Sequence, residues 1–264
     1  MSRFWKIALP VVLVLVAAGF AGWWFFLRDD APPEARLVAR DAPATTTADP
    51  TTGTTDPTTD PTTGTTATGA TGAGTTAAPA GASPAGTWTV QPGDEVFAGY
   101  RVTEQFAGET IEKTAVGRSG AVTGTVVVTA AGQGTTITEA SVEVDMTQLT
   151  SDSDRRDNRL RGDGLETDEF PAATFELTQP IELAAAPELG VPFDVQATGN
   201  LSLHGVTKEV TIPLSVRWSG EFIDGAGQLP IVLADFQIDP PNVGGFVSVA
   251  EDGILELQLS FVPA

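Results

Sequence analysis

The sequence predicts an all-β fold: an antiparallel sheet of about eight strands, closed into a barrel or folded into a sandwich, with one short helical excursion. A transmembrane helix and a disordered linker precede it. Three observations predict this. Apolar and polar residues alternate with period two through most of residues 87–264, the N-terminal stretch is a long apolar run, and Thr, Pro and Gly crowd the residues between the two. The expected division is a transmembrane anchor over 1–30, a Thr/Pro/Gly-rich stalk over 31–86 and a β domain over 87–264.

The anchor comes first. From Phe4 to Leu27 the chain is apolar but for Lys6, and a helix over that run, at about 1.5 Å per residue, exceeds a hydrocarbon core of about 30 Å. Arg3 and Lys6 open it, and Arg28, Asp29 and Asp30 follow. That bias places the N-terminus in the cytoplasm and the remainder outside the membrane. Trp5 and the run Trp23-Trp24-Phe25-Phe26 sit where aromatic belts lie. A cleavable signal peptide, cut near Ala17, Ala18 or Ala21, is the competing reading, although the apolar run continues beyond those residues. Residues 41–86 then carry a degenerate Asp-Pro-Thr-Thr repeat with almost nothing apolar beyond alanine, and such a segment cannot offset its ordering entropy by burial. It reads as a glycosylated stalk or as a bare spacer, either of which lifts a domain off the membrane.

In the β domain, 9 basic residues face 27 acidic ones, within a chain of formal net charge −20. This acidity excludes nucleic acid as a partner, since phosphate binding relies on Lys and Arg. With no cysteine, the domain relies on its own core. Strands are expected at 88–91, 96–105, 121–130, 135–146, 173–178, 193–203, 207–219, 228–238 and 254–261, separated by turns such as Gln91-Pro92-Gly93-Asp94 and His204-Gly205. A sheet of that size must hide its edges by closing or by stacking. Between Asp152 and Phe170 the alternation stops, and Ser153 to Arg161 reads as a charged helix capped by Ser153 or Asp152.

Two motifs make the reading specific. The run Arg156-Asp157-Asn158-Arg159-Leu160-Arg161 is followed by Phe170-Pro171-Ala172-Ala173-Thr174-Phe175. Further on stands Gly199-Asn200-Leu201-Ser202-Leu203-His204-Gly205-Val206-Thr207-Lys208-Glu209-Val210-Thr211. In order and spacing these resemble the two signatures of the YceI-like family. Many members also carry a histidine after the first long strand, where this chain reads Arg101-Val102-Thr103-Glu104-Gln105. The resemblance implies a lipocalin-like antiparallel β-barrel around an elongated apolar cavity that holds an isoprenoid chain.

The alternation agrees with that. It turns Val142, Val144, Met146, Phe175, Leu177, Phe236, Leu257 and Leu259 inward as candidate lining residues, and an eight-stranded barrel is the size that can enclose one ligand. Arg156, Asp157 and Arg161, carried over from the family motif, either orient a polar head group at the barrel mouth or form a local network that seats the helix. Catalysis and metal binding are not expected. His204 is the sole histidine and reads as a turn residue, no G-x-S-x-G elbow exists, and arginines interrupt the acidic run from Asp152 to Asp157. No cofactor is expected. The expected function is a non-enzymatic, membrane-tethered extracytoplasmic carrier for an isoprenoid or similar long-chain lipid. The alternative is a filled β-sandwich displayed on a stalk for envelope contacts.

Overall fold

The computed structural model describes residues 31–40, 83–106, 112–132, 134–243 and 247–264. The predicted membrane span and the Asp-Pro-Thr-Thr repeats lie outside these residues. Among the described residues no helix is long and apolar enough to cross a membrane.

Among the described residues thirteen strands follow in chain order. They are β1 (Gly86–Val90), β2 (Phe97–Phe106), β3 (Glu112–Ser119), β4 (Val122–Ala131), β5 (Gly134–Asp145), β6 (Thr150–Ser151), β7 (Ala172–Leu177), β8 (Ile181–Leu183), β9 (Phe193–Leu203), β10 (Val206–Trp218), β11 (Ile223–Val232), β12 (Asn242–Val243) and β13 (Val247–Pro263). A helix, α1 (Asp154–Gly162), lies between β6 and β7. All pairings are antiparallel, and the order β1-β4-β5-β7-β9-β10-β11-β13 returns to β1, which closes a barrel of eight strands. The long β13 pairs with β11 along one edge, and along the other its residues 247–258 pair with β2 and its end with β1. A closed barrel rather than a stacked sandwich is therefore the solution to the edge problem.

Two expectations are corrected. The strand predicted over 228–238 ends at Val232, and Leu233–Phe236 form a 3-10 turn whose C-cap Gln237 takes a left-handed φ of 56°. Strand β3 was not expected, because its eight residues Glu-Lys-Thr-Ala-Val-Gly-Arg-Ser offer only one large apolar side chain. Register with β2 fixes it, and Gly117 lies opposite Tyr100, where a Cβ would collide with the tyrosine ring. Helix α1 starts as predicted, with the Ser153 hydroxyl accepting from the Arg156 amide, acids in its first turn and arginines in its last.

Side chains on β13 alternate from Leu255 to Ser260. Leu255, Leu257 and Leu259 face the interior, so Glu256, Gln258 and Ser260 face outward, yet these three are only 2%, 7% and 6% exposed. Their cover is a segment that the sequence places in the stalk. Residues 31–38 lie on the outer face of β2, β3, β10 and β13. The Ala35 amide donates to Glu256 Oε2 at 3.2 Å and the Arg36 amide to Gln258 Oε1 at 3.0 Å. Arg101 donates to the Pro32 carbonyl, Arg118 to the Pro33 carbonyl and Arg217 to the Val38 carbonyl. Beneath the segment, Arg101 Nε and Arg118 Nε each reach Glu256 at 2.8 Å, Arg118 stacks on Phe97, and Arg217 pairs with fully buried Asp224. Val38 is itself buried. The other flank of the predicted stalk also packs on the barrel: Pro84 is buried and its carbonyl accepts from the Trp88 indole at 2.8 Å. The predicted stalk is thus too wide at both ends. Among the described residues, 31–38 and 83–86 belong to the barrel's packing.

Candidate ligand-binding site

Inward-facing residues of the barrel leave two adjoining cavities. The inner one, of about 200 Å³, is lined almost wholly by Val, Leu, Ile, Ala and Phe from β4, β5, β7, β9, β10, β11 and β13. The outer one, of about 390 Å³, lies between α1, β2, the start of β13 and the 3-10 turn at Leu233. Tyr100, Leu165, Leu203 and Leu255 stand in the walls of both. Together the cavities fall within the roughly 300–1,000 Å³ of small-molecule sites. Buried Trp88, Trp218 and Phe261 fill the barrel at the opposite end.

Of the predicted lining residues, Val142, Val144, Met146, Phe175, Leu177, Leu257 and Leu259 all face the inner cavity. Phe236 does not. It belongs to the 3-10 turn that replaces the expected strand end, is 2% exposed and packs into the core. Phe175 owes its pose to a glycine on the neighbouring strand, since a Cβ on Gly199 would meet its ring at 2.6 Å.

The three motif residues separate. Arg156 grips Glu104 with two parallel bonds, Nε to Oε1 at 2.9 Å and Nη2 to Oε2 at 2.8 Å, and also reaches Asp152 and the Ser151 hydroxyl. Burial works against its charge, but the Glu104 bonds outweigh burial and hold the guanidinium protonated. Asp157 clamps the helix to β6, accepting from the Ser151 amide at 3.0 Å and from its hydroxyl at 2.6 Å. Arg161 is exposed and, among the described residues, its side chain reaches Asn158 on its own helix. Only Arg156 therefore stands at the outer cavity, where exposed Arg155 and Arg159 mark its mouth. Glu104 lies in the segment that departs from the commoner family pattern, and it supplies Arg156 with a partner from the barrel wall.

Sequence reasoning missed Tyr100. Its hydroxyl is buried at the junction of the two cavities and has no hydrogen-bond partner among the described residues. Burial raises its pKa well above the ordinary tyrosine value, so it stays a neutral O–H able to donate or accept. An unmatched polar group costs about 1–3 kcal/mol when buried. The period-two pattern turns Tyr100 inward but could not reveal the missing partner, which depends on the surrounding walls.

The sole histidine is a brace beside the mouth. His204 and Gly205, with φ of 51° and 71°, form the two-residue turn between β9 and β10. His204 Nδ1 lies 3.1 Å from the Phe236 carbonyl and Nε2 lies 2.9 Å from Glu166, while the ring packs on Phe170 at 4.4 Å. Exchanging His204 for Asn keeps a residue that tolerates left-handed φ but removes the brace. A loss of about 1–3 kcal/mol is expected in chemical denaturation. Among the described residues no group of three or more His, Cys, Asp or Glu is arranged to hold a metal.

With this geometry in place, the comparison with known proteins decides the family. The family model described as YceI-like domain matches residues 88–261. The chain belongs to the YceI-like family. A UPF0312 protein of Vibrio campbellii is 34% identical over 118 residues, and one of Vibrio parahaemolyticus is 30% identical over the same length. Each match covers 42% of this chain and 59% of the relative, so the chain spans little more than half the length of these relatives. Among solved structures, a polyisoprenoid binding domain from Saccharophagus degradans, implicated in plant cell wall breakdown, superposes with a TM-score of 0.51 at 18% identity. That match covers 67% of this chain and 98% of the domain, and it supports the shared fold.

Proposed function

We propose that this YceI-like protein is a membrane-tethered, extracytoplasmic carrier that holds the chain of an isoprenoid or similar long-chain amphipathic lipid inside its barrel. The observation that carries this reading is the apolar inner cavity, joined at the Tyr100 hydroxyl to an outer cavity that ends at the Glu104–Arg156 pair. An amphipathic chain meets the same sequence of environments, apolar along its length and polar at its head. Each buried CH2 contributes about 0.8 kcal/mol before the losses of association, so about a dozen are enough for stable retention. The solved Saccharophagus domain, which shares the fold, is a polyisoprenoid binding domain and supports the same ligand class here. Tethering is supported by the apolar run from Phe4 to Leu27 and the basic residues that open it. The role is non-enzymatic and needs no catalytic group. A filled sandwich is a poorer match, because the interior is hollow.

The Tyr100→Phe variant tests the assignment of the polar junction. Removing an unpartnered hydroxyl should leave the stability of the lipid-free protein equal or slightly raised. Affinity for a long-chain isoprenoid alcohol, titrated into delipidated protein, should fall about five-fold, matching one hydrogen bond of about 1 kcal/mol. Affinity for the corresponding hydrocarbon should not change. An equal effect on both ligands would remove Tyr100 from head-group recognition.

A further inference from the structure

The segment 31–38 has a direction along the barrel. Pro32 is held by Arg101, which pairs with Ile254 on β13; Ala35 and Arg36 follow at Glu256 and Gln258; Val38 ends at Arg217, beside Asp224, which pairs with Ser260. The segment thus runs alongside β13 in the same sense for about 20 Å at strand rise. The mouth of the outer cavity lies toward the other end of β13, where Val247, Val249 and Gly253 line it. The anchor-proximal end of the segment is therefore its mouth-proximal end.

The domain's basic residues are spent in keeping with this. Between residues 87 and 264 there are nine, and the three that grip the segment, Arg101, Arg118 and Arg217, lie on its track. They draw on Glu256 and Asp224, whose side chains are 0% exposed although both point away from the barrel interior. Outward charges that deeply covered mark a built seat.

We infer that residues 31–38 are a strap that orients the barrel with its mouth toward the bilayer, so that lipid passes directly between membrane and cavity. This rests on the proposed membrane anchor ending near Leu27. From Leu27 to Ala31 the chain spans at most about 14 Å, which leaves the end of the barrel filled by Trp88 and Trp218 no route to the membrane surface.

The natural absence of cysteine allows a direct test with the full-length chain in liposomes. Single variants Glu169→Cys, in the loop after α1, and Glu221→Cys, in the loop between β10 and β11, each receive a fluorophore. Quenching is then measured from nitroxide-headgroup lipids. The label on Glu169→Cys should be quenched at least two-fold more strongly than that on Glu221→Cys. In the combined background Ala35→Pro and Val38→Asp, which removes the amide donated to Glu256 and the apolar seat without touching a strand, that difference should disappear. Equal or reversed quenching in the wild-type strap overturns the orientation. A difference that survives the strap substitutions overturns the strap as its cause. Failure of the protein to float with the liposomes overturns the anchor reading and this inference with it, and so is distinct from flotation with equal quenching, which overturns the orientation alone.

Discussion

Replacing Glu256 by Ala is expected to lower the melting temperature by about 6–12 °C. The Glu256 carboxylate accepts from Arg101, Arg118 and the Ala35 amide, and its side chain is wholly buried. Removing one partner of a buried pair commonly costs about 3–5 kcal/mol, because the remaining charge has lost its solvent and its counterion. Here the strap can lift and admit water to the arginines, so the low end, about 3 kcal/mol, applies. For a domain of this size each kcal/mol shifts the melting temperature by about 2–4 °C. The loss should come with faster proteolysis in residues 31–38, because the strap depends on the same carboxylate. A shift under 2 °C with an equally protected strap would show that the cluster is incidental. Lipid retention should change little, since Glu256 points away from the cavity.

The second large effect is expected from Leu257→Trp. Leu257 faces the inner cavity, opposite in character to its neighbour Glu256 on the same strand. The larger ring enters space that the lipid chain would take, so lipid affinity should fall at least ten-fold, about 1.4 kcal/mol. The melting temperature of the lipid-free variant should stay within a few degrees of wild type. In a filled core the same substitution would overpack, costing about 1–3 kcal/mol of stability. Equilibrium denaturation of the delipidated protein and a binding titration separate the two results. Loss of stability with unchanged lipid binding would contradict the placement of the ligand.

The barrel was legible in the sequence because its strands bury one face and wet the other. The period-two pattern of Val142, Val144, Phe175, Leu177, Leu257 and Leu259 placed them all on the cavity wall. Where alternation carried no such contrast, reading failed. Strand β3 offers almost no apolar residues and is set by its register with β2. Phe236 continued an apolar stretch but sits in a 3-10 turn that ends at the left-handed Gln237. The same logic explains the strap. Residues 31–38 show neither periodicity nor a long apolar run, and their binding sites, Glu256, Gln258 and Asp224, read as ordinary solvent-facing positions. Only the folded sheet reveals that those positions are covered. Arg156, Asp157 and Arg161 were equally visible as a motif, but their spacing could not say that the first pairs with Glu104, the second clamps β6 and the third meets solvent.

The most direct test of the carrier reading is mass spectrometry of an organic extract from the full-length protein, purified from membranes in mild detergent. The account predicts a long-chain isoprenoid or similar amphipathic lipid at close to one molecule per barrel, reduced at least ten-fold in Leu257→Trp. Absence of any such lipid from the wild-type protein, together with no uptake when delipidated protein is incubated with isoprenoid-containing vesicles, would contradict it.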